Sequence, residues 1–488
     1  MKDHLAAYFK LERFPGSSVA TEVRAGLSTF LTMSYILLVN PQILGCIGLN
    51  ASDVVLATAL SSAFGTFVTA VLGNLPFGLA PGMGLSAYLA FGLVQGSRGM
   101  TSEKALTCCF LAGVIMALSA LSGLSTLIMK CIPKSVKLAT VTGMGLLIAL
   151  IGLKQVSLVV ASESTLVALG DLSDYNVWLC LAGVLLIGTL LSHKVKGSIL
   201  IGIVVISLIS WAIEGNWPRE VVSLPRPQYS FGETIDLRDI STDMLPGILG
   251  FLFVGIFDVS GIIFGMARLA GLEDENHHVP GDIWGYMGAS IGTIIAAMMG
   301  SSPIIVHVES AAGIKEGGRT GLTSLTIAVL FVVSVFFAPL FENVPPVATS
   351  PVLIIVGAMM MGECVNVEWH DIDQAIPAFL TLIMMPFTFS IADGVAFGIG
   401  AATLLGITTG KWIRTVRGCL SKRPQITVDL EGGAEHELLL PQKRPSLFEQ
   451  LIADNPEAVE RSPRLLLSRT EIEHTLERTH SLQYGTTP

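Results

Sequence analysis

Fourteen apolar windows follow one another along this chain, at 24–46, 53–73, 77–96, 104–129, 136–160, 176–192, 197–213, 244–267, 282–300, 303–316, 320–341, 348–363, 372–390 and 392–410. Short polar breaks separate them. Lipid cannot hydrogen-bond a backbone, so segments of this kind have one general solution, a bundle of membrane helices. Composition agrees: 51% of the 488 residues are hydrophobic and 14% charged, against about 25% charged in soluble domains. The expected fold class is an all-α polytopic membrane protein of about fourteen spans. Several windows fall short of the ~20 residues a crossing helix needs, 303–316 above all.

The longest internal break, the polar and proline-containing 214–243, leaves seven windows on either side. The expected organisation is a cytoplasmic N-terminus (1–23), a first seven-span repeat (24–213), an extracellular loop (214–243), a second seven-span repeat (244–410) and a largely disordered cytoplasmic tail (411–488). An odd number of spans per half makes the two repeats inverted. The third window of each half is broken by glycine and proline, 76-PFGLAPGMGLSAY-88 in the first and 300-GSSPIIVHVESAAG-313 in the second. Paired interruptions at matching positions are the strongest sequence pointer to a transporter binding site. The residues before Glu309 alternate as a short strand does, so short strands are expected within broken spans 3 and 10.

Lys130, Lys134, Lys137, Lys194, Lys196, Lys411, Arg414 and Arg417 fall on one side of this arrangement. The thinner set Arg98, Lys104, Lys154, Arg219, Arg226 and Arg238 falls on the other. The bias places both termini in the cytoplasm of an integral membrane protein, expected in the plasma membrane. No cleavable signal precedes the first window, which is too long for a signal core. The seven cysteines form no CxxC pair and no metal-like spacing; buried cysteines of this kind behave as small hydrophobes. Neither a metal nor another cofactor is expected. The glycines of 78-GLAPGMG-84 lack the strand–loop–helix setting of a phosphate loop. No nucleophile–base constellation is present either, so the chain reads as a non-enzyme.

Four ionisable residues sit deep in the windows: Asp258, His307, Glu309 and Asp393. A charge at membrane depth costs roughly 2.5–3.5 kcal/mol even on insertion scales, which makes each a candidate functional residue. For Asp258 the plain alternative is a carboxylate that ties two helices together. For Glu309 it is a cap on the half-helix that follows, where free backbone N–H groups favour negative charge. The functional alternative for Glu309 is an acceptor pair for a flat heterocycle's N–H donors. His307, two residues away, is on the same face of a strand and is either a tuning or proton-shuttling group or a bystander. Asp393, at the bend in 388-TFSIADG-394, reads equally as a helix cap. Arg319, in 315-KEGGRTG-321, reads as a loop residue at a tight turn.

The strings 32-TMSYILLVNP-41, 79-LAPGMGLSAY-88, 309-ESAAGIKEGGRTGLTS-324 and 376-IPAFLTLIMMPFTFSIADGVAFG-398, with the Phe257–Asp258 pair, resemble the azaguanine-resistance-type (AzgA-like) purine permeases among the nucleobase–cation symporters. The resemblance implies a core and a gate domain, with substrate between broken spans 3 and 10 and facing span 8. It implies proton-coupled uptake of hypoxanthine, guanine or adenine. The substrate-binding set it points to is Glu309, Asp258, Ser86, Ala87, His307 and Ser310, with Asp258 and Asp393 in coupling or gating. Partners are then a nucleobase, the lipid bilayer and a second copy through the gate domain, with no nucleic acid. The chain departs from the family pattern at Ser86, where Asn is usual, at Gly255, where an acidic residue is common, and at His307, within a run usually like Thr–Thr–Tyr. A Ser has one donor and a shorter reach than Asn, so the preferred ligand stays open. The alternative from another class is an anion exchanger or channel on the same scaffold.

Overall fold

The computed structural model describes residues 2–14, 17–96, 99–123, 132–223, 230–274 and 279–410. The expected tail, 411–488, lies outside the described residues, as do Arg98, Lys130, Arg226, Lys411, Arg414 and Arg417.

A short helix α1 (Lys2–Tyr8) precedes the first span, which is built from α2 (Val19–Met33) and α3 (Ile36–Gly45). Then come α4 (Ala51–Val68, continued by a π-type turn to Gly73), β1 (Leu79–Pro81), α5 (Met83–Ala87, its winding extended to Val94) and α6 (Ser102–Leu121). Helix α7 (Lys134–Gln155), strands β2 (Val159–Ser162) and β3 (Leu166–Leu169), and helices α8 (Tyr175–Ser192) and α9 (Ser198–Glu214) complete the first half. The second half runs through α10 (Leu245–Ala270), α11 (Asp282–Met298), β4 (Ile304–Val306), α12 (Ser310–Lys315), α13 (Gly321–Ser334) and a short α14 (Ala338–Glu342). It ends with α15 (Pro346–Met360), α16 (Ile372–Thr388) and α17 (Ile391–Thr408). Among the described residues nine helical segments are long and apolar enough to cross a membrane, and three more, Met83–Val94, Ser198–Glu214 and Ile372–Thr388, are apolar but shorter. Every expected window carries helical residues, and the third and tenth carry strand as well.

Two details differ from the sequence reading. The first helix of the membrane part starts at Val19, five residues before the expected boundary, because Ser18 caps it by accepting the Thr21 N–H. The fifth window extends too far: α7 stops at Gln155, and β2 pairs antiparallel with β3 in a hairpin.

The broken spans meet at the centre. Strands β1 and β4 pair antiparallel with Ala80 opposite Ile305. The ladder is lengthened by Gly82 N–H donating to Pro303 O and His307 N–H donating to Gly78 O, both at 3.0 Å. A strand from each half, paired about one midpoint and each followed by a short helix, is what an inverted repeat produces on its two-fold axis. The supporting helices obey the same symmetry. Thr66 on α4 donates to Leu79 O (3.2 Å) and accepts from Leu79 N–H (3.0 Å). Thr293 on α11 does the same for Ile304, at 3.3 and 2.9 Å. The two helices approach at glycines: a Cβ on Gly65 would lie 2.7 Å from the Gly288 carbonyl. Small residues at such crossings let membrane helices pack backbone to backbone.

The helices sort into two packed groups, each drawn from both halves. One comprises α2–α6 and α10–α13 around the strand pair; the other comprises α7, α8, α9, α15, α16 and α17. The second group also has a crossing of glycine on glycine, Gly145 of α7 against Gly357 of α15, where a Cβ on Gly145 would lie 2.8 Å from the Gly357 carbonyl.

Candidate functional site

The centre of the first group holds the residues singled out above. Glu309 follows β4 and stands at the N-cap position of α12, yet its side chain makes no capping hydrogen bond. The cap reading is set aside by where the carboxylate goes instead. Oε1 accepts the Tyr35 hydroxyl at 2.9 Å, and Oε2 lies 3.1 Å from His307 Nδ1. The Glu309 side chain keeps 17% of its surface exposed and His307 keeps 7%. The neighbouring Val308 is 54% exposed, so the carboxylate lies at an opening in an otherwise buried region.

His307 joins the two broken spans. Its Nε2 faces two backbone carbonyls of the opposite broken span, Ala80 O and Pro81 O, each at 3.2 Å. Carbonyls only accept, so Nε2 carries the hydrogen there. Asp258, on α10, is half-buried and stands within electrostatic reach of His307. No hydrogen bond from another described residue reaches its carboxylate, which leaves the helix-tying reading without support. The polar tie in that region is made next door, where Tyr286 of α11 donates to the Ser260 hydroxyl at 2.7 Å.

The remaining members of the expected set do structural work around this centre. Ser310 is fully buried, and its hydroxyl accepts the Gly78 N–H at 3.0 Å, which joins the two broken spans. Ser86 is also fully buried; its hydroxyl lies 2.7 Å from the Ser302 hydroxyl and 3.0 Å from Gly82 O, with one hydrogen to serve both contacts. Ser302 in turn donates to Asn40 Oδ1, while the Asn40 amide donates to Thr58 and Ser301. Ala87 is buried beside Ser86. Asp393 belongs to the second helix group, in the first turn of α17, with its N–H on the Ser390 hydroxyl. The chain therefore brings Glu309, His307 and Asp258 together, sets Ser310 and Ser86 in the joints behind them, and holds Asp393 on a separate packed group.

Two residues escaped the sequence reading. Tyr35 lies at the joint between α2 and α3. Pro41 cannot donate to Leu37 O, and around the joint the chain uses tighter bonds, Leu37 N–H to Ser34 O and Leu38 N–H to Tyr35 O. The joint places the Tyr35 hydroxyl beside Glu309. The detectable signal was a lone phenol in an apolar window near a proline. Glu22, wholly buried, is the second. It accepts from Arg319 N–H, Thr320 N–H and the Thr323 hydroxyl, and so anchors the start of α13. Arg319 donates to Ile314 O and Gly318 O, which closes its own turn as expected.

A family profile described as "Permease family" (Xan_ur_permease) matches residues 20–397. The guanine/hypoxanthine permease PbuO of Bacillus subtilis is 39% identical over 409 residues, covering 81% of this chain and 93% of that protein. The adenine permease AdeQ of Escherichia coli is 38% identical, covering 84% and 92%. In fold, the chain is similar to the transmembrane domain of the cyanobacterial bicarbonate transporter BicA, with a TM-score of 0.57 at 17% identity over 78% of this chain and 97% of that one. It is also similar to the murine anion transporter Slc26a9 in its inward-facing state, with a TM-score of 0.58 at 12% identity over 84% and 72%. At those identities the likeness is one of fold: a polytopic inverted-repeat membrane protein.

Proposed function

The chain belongs to this permease family, and from that premise we propose that it is a secondary active transporter, not an enzyme, that carries purine nucleobases across a membrane by alternating access. Relatives named for guanine, hypoxanthine and adenine transport support the substrate class. The observation that carries the reading is Glu309, a carboxylate positioned on both oxygens by Tyr35 and His307 at an opening, with the carboxylate of Asp258 nearby. Each Glu309 oxygen retains a lone pair for a further donor. A purine presents adjacent N–H donors on a rigid plane, the pattern that paired carboxylate oxygens accept best.

In this reading Glu309 and Asp258 contact the base, while Ser310, Ser86 and Ala87 shape the floor behind them. The first helix group carries the site and moves against the second, in which Asp393 acts on gating. The driving ion is the proton, and no other cofactor is needed. The protein sits in the plasma membrane with both termini in the cytoplasm, and pairs with a second copy through the second helix group.

The test is uptake of labelled hypoxanthine into proteoliposomes, with unlabelled guanine, adenine, uracil and xanthine as competitors, with and without an inward proton gradient. Saturable, gradient-stimulated uptake suppressed by purines is expected, with Glu309→Gln abolishing it. Uptake indifferent to the gradient removes the coupling. Chloride-dependent currents with no competition by bases would move the assignment to the anion-carrier class.

A further inference from the structure

We propose that the coupling proton is carried by the His307–Glu309 pair, shared between His307 Nδ1 and Glu309 Oε2; this rests on the proton-coupled nucleobase reading above. The ring's other nitrogen sets the constraint. Nε2 faces the carbonyl oxygens of Ala80 and Pro81 at 3.2 Å, so it holds a hydrogen in every state of the pair. Only Nδ1 is left to change, and it faces Oε2 at 3.1 Å.

With one further proton present, the pair has two forms: imidazolium with carboxylate, or neutral imidazole accepting from a protonated carboxyl. Both have zero net charge and the same hydrogen bond; they differ only in which atom holds the proton. Without that proton the Nδ1 lone pair confronts the lone pairs of Oε2, and the pair has a net charge of −1. The Glu309 carboxylate then keeps the Tyr35 hydroxyl on Oε1. Loading therefore closes the pair and unloading opens it, and this turns the same atoms that meet the base into a proton-dependent joint.

The step balances simply. A proton arrives from water on the outer face at Nδ1 or Oε2, travels with the base, and leaves to water on the inner face. The other titratable groups facing the pair are Tyr35, from the α2–α3 joint, and Asp258, from α10. Tyr35 is engaged with Oε1, and no hydrogen bond joins Asp258 to the ring. The device depends on the imidazole at position 307. A residue there without a second titratable nitrogen lacks the loaded and unloaded forms.

The test separates accumulation from exchange in proteoliposomes. A gradient of one pH unit supports about tenfold accumulation of labelled hypoxanthine per coupled proton. For His307→Gln, accumulation is expected to fall to the equilibrium level, while exchange of labelled for unlabelled base is slowed but still measurable and no longer varies with pH. Accumulation by His307→Gln matching the wild type overturns the proposal. Wild-type protein that neither exchanges nor accumulates base instead overturns the nucleobase reading. A second measurement needs no variant: pH-difference infrared spectra of wild-type protein labelled with ring-15N histidine. One carboxyl band that titrates together with an isotope-shifted histidine band is expected. A carboxyl change with no histidine partner overturns the proposal even if the variant is inactive through misfolding.

Discussion

The Tyr35–Glu309 bond is the most specific residue-scale finding, because it ties the α2–α3 joint directly to Oε1 of the proposed anchor. A hydrogen bond to a charged group contributes about 1.5–3 kcal/mol, and about 1.4 kcal/mol is tenfold in affinity. Tyr35→Phe is therefore expected to raise KM for hypoxanthine by about tenfold and, because the lost bond also holds the α2–α3 joint to Glu309, to lower the thermal unfolding midpoint of the purified protein. An unchanged KM would remove Tyr35 from the site. Ser86 leads to a different expectation. Its hydroxyl is spent on Gly82 and Ser302, so Ser86→Ala should first appear as a loss of stability of about 0.5–1.5 kcal/mol. Chemical denaturation of the variant checks this. A change confined to substrate selectivity would instead mean that the hydroxyl meets the base.

Among the elements, the paired broken spans are where sequence and structure agree most closely. Glycine and proline in each third window announced the interruption, and the alternation before Glu309 announced a strand. That the two strands pair with each other was not legible, since an antiparallel ladder between two segments so far apart in the chain needs the repeat fold to bring them together. The threonines that hold them, Thr66 and Thr293, looked like ordinary polar residues in apolar windows. Each satisfies both backbone groups of a buried strand residue, and an unsatisfied buried donor or acceptor costs about 1–3 kcal/mol. Thr66→Val and Thr293→Val are expected to destabilise the protein comparably, because the repeat gives them equivalent positions. Thermal unfolding of both variants in the same detergent is the check, and a large effect at one position with none at the other would break the equivalence.

For the whole molecule, the relevant link is the one between the two helix groups. Glu316, just after α12, forms an ion pair with Lys196, which precedes α9, and with Arg24 of α2 at 3.5 Å. The Lys196 ammonium beside Glu316, with Arg24 behind it, holds this carboxyl below its ordinary range. A carboxyl depressed in the folded state contributes its stability above the unfolded value, near about 4.3, and loses it as pH falls through the folded value. Glu316→Gln should therefore lower the unfolding midpoint at neutral pH, and the difference from wild type should close as the buffer is taken below the ordinary carboxylate range. High salt should narrow it as well, because exposed charge pairs are screened. A difference that persists in acid would assign the effect to packing.

By itself the sequence determined that this is a helical membrane protein with two interrupted spans and a few carboxylates too deep to be incidental. Those conclusions follow from local quantities: apolar length, charge spacing and backbone breakers. Tertiary structure decided which groups face one another. Glu22 was hidden because the apolar run begins at residue 24, five residues inside the helix that Ser18 caps. Tyr35 was hidden because a phenol in an apolar window shows no partner until the α2–α3 joint aims it. Asp393, equal to Glu309 as a deep charge in sequence, was assigned by the fold to the other helix group. The pairing of Glu309 with Tyr35 and His307 depends on chain crossings at the repeat axis, and no periodicity along the chain encodes a crossing.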